Sequence, residues 1–132
     1  MTMINIAALL ATSLLFGGMT LYSFGFAPLV FSAMPADAAG KLLRRAFPHY
    51  YVFVFVTALV GTLALLPRDM LAAGLMAATA LIAVIARQVL MPAINTARDT
   101  GAKRRFGALH GLSVALNMLQ LAAVVTVLVR LA

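Results

Sequence analysis

Four long apolar runs follow one another along the chain, each separated from the next by charge, proline or glycine. They cover about 4–33, 48–66, 70–91 and 106–131. A helix needs about 20 apolar residues to cross a hydrocarbon core of about 30 Å, so each run is long enough. Lipid supplies no hydrogen-bond partners, so each run must satisfy its own backbone as a helix. The predicted fold is all-α: a four-helix transmembrane bundle forming one integral membrane domain over 1–132.

The breaks between the runs differ. Pro67-Arg68-Asp69 reads as a tight turn, with Asp69 as N-cap of the third helix. The segment 35–47 is longer. Pro35 suits a first turn, Asp37 lies near the start and Arg44 and Arg45 near the end, placements that suit a helix dipole. With Leu42, Leu43 and Phe47 on an apolar side, it reads as a short interfacial helix on the membrane surface. The stretch 95–105 reads as a polar loop, with room for a helical extension past Pro92. The first run, at about 30 residues, would be roughly 45 Å long and must tilt or bend. Pro28 marks its expected kink, and Pro92 that of the third helix. The run also exceeds the 7–15 residues of a signal-peptide core and has no basic n-region, so it reads as a retained span despite Ala36-Asp37-Ala38 behind it.

Composition sharpens this reading. Of 132 residues, 64% are hydrophobic and 10% charged, too few charges to clothe a soluble domain of this size. There is no cysteine, which excludes disulfides and thiolate metal sites. The net charge of +7 gathers at the ends of apolar runs, a pattern for anionic headgroups rather than nucleic acid. Lys41, Arg44, Arg45, Arg98, Lys103, Arg104 and Arg105 lie in the first and third connections; Arg68 and Arg130 lie on the other side. The positive-inside rule makes the first group cytoplasmic and both termini non-cytoplasmic, in a bacterial inner membrane. Phe24, Phe26, Phe31, Phe47, Tyr50, Tyr51 and Phe106 gather at the same interface. A weak internal repeat runs through it: Pro28, then Lys41/Arg44/Arg45, Phe47 and His49, echoed by Pro92, Lys103/Arg104/Arg105, Phe106 and His110.

Polar residues inside spans are the candidates for function, because each is costly unless it faces protein or water. His110, Ser113, Asn117 and Gln120 are spaced three, four and three apart, which puts them on one face of the fourth helix. They form a candidate polar track from the basic edge toward the bilayer middle, joined by Arg87 and Gln88 at the end of the third helix. The competing reading is interhelical hydrogen bonding, at about 0.6 kcal/mol per group, with Arg87 snorkelling to the headgroups. The cations Lys41, Arg44, Arg45, Lys103, Arg104 and Arg105 are candidate headgroup contacts. Gly17, Gly18, Gly25 and Gly61 are candidate helix-packing positions. No carboxylate lies within a span, and neither a nucleotide motif nor a catalytic group is present, so the reading leans away from an enzyme. No cofactor is expected. The alternative is haem b on His49 and His110, or copper with His110 as a ligand, although His49 follows Pro48 at the entrance of its helix. The eight methionines are scattered and read as packing. Expected partners are anionic lipid, another copy of the chain or a larger membrane complex; nucleic acid is not expected.

The runs FGGMTLYSFGFAPLVF, FPHYY, LMPAIN and FGALHGLSVALNMLQL resemble, in order, the transmembrane-protein-205-like family, a group of small four-helix membrane domains of unknown function. Gly17, Gly18, Pro28, Pro92, His110, Ser113 and Asn117 match that pattern; His49 falls where the family is not expected to require histidine. The family is distantly similar to copper-resistance-D-type bundles. The resemblance implies a multi-pass membrane protein without an assigned activity: structural, transport-related or partner-binding, with metal handling and lipid docking as alternatives.

Overall fold

The computed structural model describes residues 2–132, and among these there is no strand. Four helices account for almost all of them: α1 (Met3–Ala33), α2 (Ala36–Leu65), α3 (Met70–Asp99) and α4 (Lys103–Leu131), each long and apolar enough to cross a membrane. Each packs against the next in sequence, and α4 closes the ring against α1. Short connections make neighbours antiparallel. The first and third connections therefore share one end with most of the cations, here called the basic end.

The inner seam is built from Leu15, Met19, Val54, Leu65, Met76, Val124 and Val127, all fully buried. Leu10, Leu21, Leu63, Leu81 and Val129 point outward and are largely exposed, as a lipid-facing surface requires. Two glycines let helices approach. A Cβ on Gly18 would come 2.5 Å from the Phe53 ring, and one on Gly61 would come 2.5 Å from Met76 Cε. Gly17 faces open space, and a Cβ on Gly25 would meet only Leu21 of its own helix.

The expected short interfacial helix is not a separate element. Residues 36–47 are the opening turns of α2, which runs unbroken through Pro48. The physical reason is packing. Ala39 and Leu43 are buried against Val30 at the end of α1, so the apolar side of this segment seals the bundle instead of lying on lipid. Pro48 removes one backbone donor, and its carbonyl takes a hydrogen bond from Arg87 Nε at 3.3 Å.

The expected loop at 95–105 is also shorter. Helix α3 continues to Asp99, and the chain turns at Gly101, whose φ of 72° is a left-handed conformation suited to glycine. Hydrogen bonds from Gly101 N–H to the Arg98 carbonyl and from Ala102 N–H to the Ala97 carbonyl close the helix as a Schellman motif. At the other end Asp69 caps α3, accepting from Ala72 N–H at 3.1 Å. It also takes a two-pronged contact from Arg130 at 2.8 and 3.1 Å, which ties the end of α4 to the α2–α3 turn.

At Pro28 and Pro92 the helices do not break. Each proline sits at the second position after a π-helical turn, Leu21–Phe26 in α1 and Ala86–Leu90 in α3. The N–H groups of Ala27 and Met91 reach back five residues, to the carbonyls of Tyr22 and Ala86. The wider turn absorbs the donor that proline lacks.

Packing makes a direct prediction. Gly18→Val should destabilise the bundle by about 1–3 kcal/mol, the usual cost of overpacking, because an aromatic ring stands in the way. Gly17→Val should be close to neutral. Denaturant unfolding in mixed micelles checks it; equal effects at the two positions would contradict the close approach.

Candidate functional site

Helix α4 is held unevenly. Its buried residues are Gln120, Val124 and Val127, and none lies between Lys103 and Leu119. Toward the basic end it therefore stands away from the bundle, and a cavity of about 400 Å³ opens between it and α1, with the first turns of α2 and the last turns of α3 behind. Three members of the polar stripe, His110, Ser113 and Asn117, line this cavity. Gln120 lies just below it, where the helices close.

The polar groups at the deep end are matched. Tyr50 Oη donates to Asn117 Oδ1 at 2.8 Å, and Asn117 Nδ2 donates to Ser23 Oγ at 2.9 Å. Tyr51 Oη and Ser113 Oγ lie 3.5 Å apart, a long contact. Gln120 Nε2 donates to the Thr79 carbonyl at 2.9 Å, fully buried. So Asn117 and Gln120 bind helices together. The tyrosines sit in an aromatic nest: Tyr22 stacks on Tyr50 with ring centroids 4.4 Å apart, and Phe47 meets Tyr50 edge-on at 5.8 Å.

The mouth differs. Arg44 forks onto Asp99 with both bonds at 2.8 Å, joining α2 to α3 across the basic end. The pair neutralises itself. The Arg44 guanidinium holds the Asp99 carboxyl below the usual carboxylate range. Next to it, the Arg98 guanidinium lies against Gly40; a Cβ at that position would fall 2.6 Å from Arg98 Cζ. Among the described residues Arg98 has no carboxylate partner. His110 is exposed and stacks on Phe106, with centroids 5.8 Å apart and planes at 5°.

Other sequence candidates lie elsewhere. Arg87 and Gln88 are exposed, bond to each other at 2.7 Å, and do not line the cavity. Lys41, Arg45, Lys103, Arg104 and Arg105 are exposed around the basic end. His49 opens onto a different cleft, beside Tyr22 and Phe53. The two histidines therefore do not face one another as an axial pair for haem. Among the described residues no three metal-ligating side chains of His, Cys, Asp or Glu gather, and His110 belongs to no such cluster.

Sequence reasoning missed Ser23, Tyr50, Tyr51, Thr79 and Arg98. Tyr50 and Tyr51 were visible as interface aromatics, not as hydrogen-bond donors. From the sequence Arg98 reads only as one more loop cation.

The fold and its lipid-facing exterior define a multi-pass integral membrane protein, a bundle of four apolar helices. Within that class, the chain belongs to the DUF4149 family, a domain of unknown function whose family model matches residues 10–103. The match covers α1 to α3 and stops where α4 begins, so the polar stripe lies outside it. Neither the curated proteins nor the solved structures provide a match.

Two measurements test this site. Asn117→Ala leaves the Tyr50 and Ser23 hydroxyls without their partner and should cost about 1 kcal/mol, within the range for polar contacts between membrane helices. A Tyr50→Phe, Asn117→Ala double-mutant cycle should recover a coupling of that sign, whereas additivity would argue against the bond. The Asp99 carboxyl is lowered in the folded state, so its pairing stabilises above the unfolded pKa of about 4 and is lost as pH falls through the folded value. Asp99→Asn should therefore lower the melting temperature at pH 7, and the difference from wild type should shrink steadily as pH falls below about 4.

Proposed function

We propose that the protein is a non-enzymatic membrane bundle whose working end is the basic one, where it engages anionic lipid. The observation that carries this reading is the coincidence of free cations and cavity. Arg44 and Arg130 are consumed by Asp99 and Asp69. Lys41, Arg45, Lys103, Arg104 and Arg105 remain exposed at the end where α4 stands apart. Each cation near an anionic surface contributes about 1 kcal/mol, so five together give a clear preference for negatively charged headgroups.

The orientation in this reading puts the basic end in the cytoplasm and both termini outside, in a bacterial inner membrane. Kinship with the transmembrane-protein-205-like and copper-resistance-D-type proteins belongs to the proposal too, supported by the ordered sequence runs. The haem and copper alternatives gain no support from the arrangement of His49 and His110. Docking to a larger membrane complex would use the same cations.

Native mass spectrometry of protein extracted from membranes of mixed lipid tests the reading. Wild type should retain anionic phospholipid in excess of its share of the membrane. The Lys41→Gln, Arg45→Gln, Arg104→Gln, Arg105→Gln variant should lose that excess while keeping its fold by circular dichroism. Equal enrichment in both would refute headgroup engagement.

A further inference from the structure

The cavity between α1 and α4 has a polarity gradient. At the deep end Ser23, Asn117 and Tyr50 satisfy one another, so they offer little to a newcomer. The walls above are apolar: Phe24, Phe31, Val114 and Met118 line the cavity and are exposed at its sides. At the basic end Arg98, His110 and Asn95 line the mouth. Among the described residues, none of these three side chains is in a hydrogen bond within the protein. The neighbouring Arg44–Asp99 pair carries no net charge, so Arg98 leaves the mouth positive.

Dimensions narrow the occupant. Along α4 the cavity runs from Phe106 to Met118, about 18 Å at 1.5 Å per residue. A groove of that length accommodates an extended alkyl chain, and Arg98 offers it a single cationic anchor at the mouth. Its exposed apolar sides open to the hydrocarbon layer, from which a chain would enter without meeting water.

We infer that this cavity binds a single-chain anionic amphiphile of the fatty-acid class, with its carboxylate on Arg98 at the basic end and its chain along the phenylalanine wall toward Asn117. The inference rests on the reading of the basic end as a lipid-engaging surface and assigns it a distinct site. A guanidinium suits this task because it stays charged and presents paired donors to a carboxylate. Gly40 contributes by having no side chain: any Cβ there would displace Arg98.

Native mass spectrometry of the full chain in non-ionic detergent, titrated with oleate or with oleyl alcohol, tests this. Wild type should take up one oleate and bind the alcohol more weakly. Arg98→Gln should weaken oleate about tenfold or more, as expected for a charged hydrogen bond, and leave the alcohol unchanged. Val114→Trp, on an exposed wall position that tolerates bulk, should weaken both. Arg68→Gln, an exposed change at the opposite end, should weaken neither. No saturable oleate uptake, or uptake indifferent to both Arg98→Gln and Val114→Trp, would overturn the inference. So would a two-chain phospholipid, or a dimer peak, that Val114→Trp removes instead. The headgroup reading is judged separately, by the anionic-lipid excess in the four-cation variant, so either idea can fail alone.

Discussion

A polar side chain in the hydrocarbon layer has no water to turn to, and that constraint arranges this bundle. Helix α4 carries four polar residues in a row of turns. Asn117 answers the constraint by bridging α2 and α1 through Tyr50 and Ser23, and Gln120 by reaching the Thr79 carbonyl on α3. Between them these two residues tie α4 to all three of its companions. Each bond is modest, about 0.6 kcal/mol on average. Their value lies in specifying rotation, because a turned α4 would leave an amide buried in lipid without partners.

The two ends of α4 serve different ends. Below Gln120 it packs by Val124 and Val127, and Arg130 anchors its tip to Asp69. Above Gln120 it contributes no buried residue. The cavity is the direct result: it is the space that a helix leaves when packed firmly at one end and tied further up by side-chain hydrogen bonds and by contact with the last turns of α3. The cations collect around that looser end, and Arg44–Asp99 fastens α2 to α3 behind it.

Much of this was legible in the sequence. The four spans were, because lipid demands long uninterrupted apolar runs. So was the shared face of His110, Ser113, Asn117 and Gln120, which helical spacing dictates. Their partners were not. Tyr50 and Ser23 lie 67 and 94 residues from Asn117, and no local rule pairs residues across such distances. The continuity of α2 through Pro48 was missed because proline ordinarily argues for a boundary, whereas the burial of Leu43 against Val30 depends on where α1 ends in space. Arg98 lay among several loop cations with nothing to distinguish it. Only the helical ending of α3 at Asp99 brings it against Gly40 and onto the cavity.

The π turns in α1 and α3 give these helices a property that straight ones lack. One surplus residue turns everything beyond it by about 100° relative to a regular α-helix. In α1 and α3 alike, the surplus falls between the packed lower bundle and the proline-led segment that borders the cavity. The rotational phase of the basic end is therefore set independently of the seam beneath it. Loss of a single residue within either turn would swing a new set of side chains toward the cavity while the lower half kept its register, so the chain can vary its upper wall by length as well as by substitution.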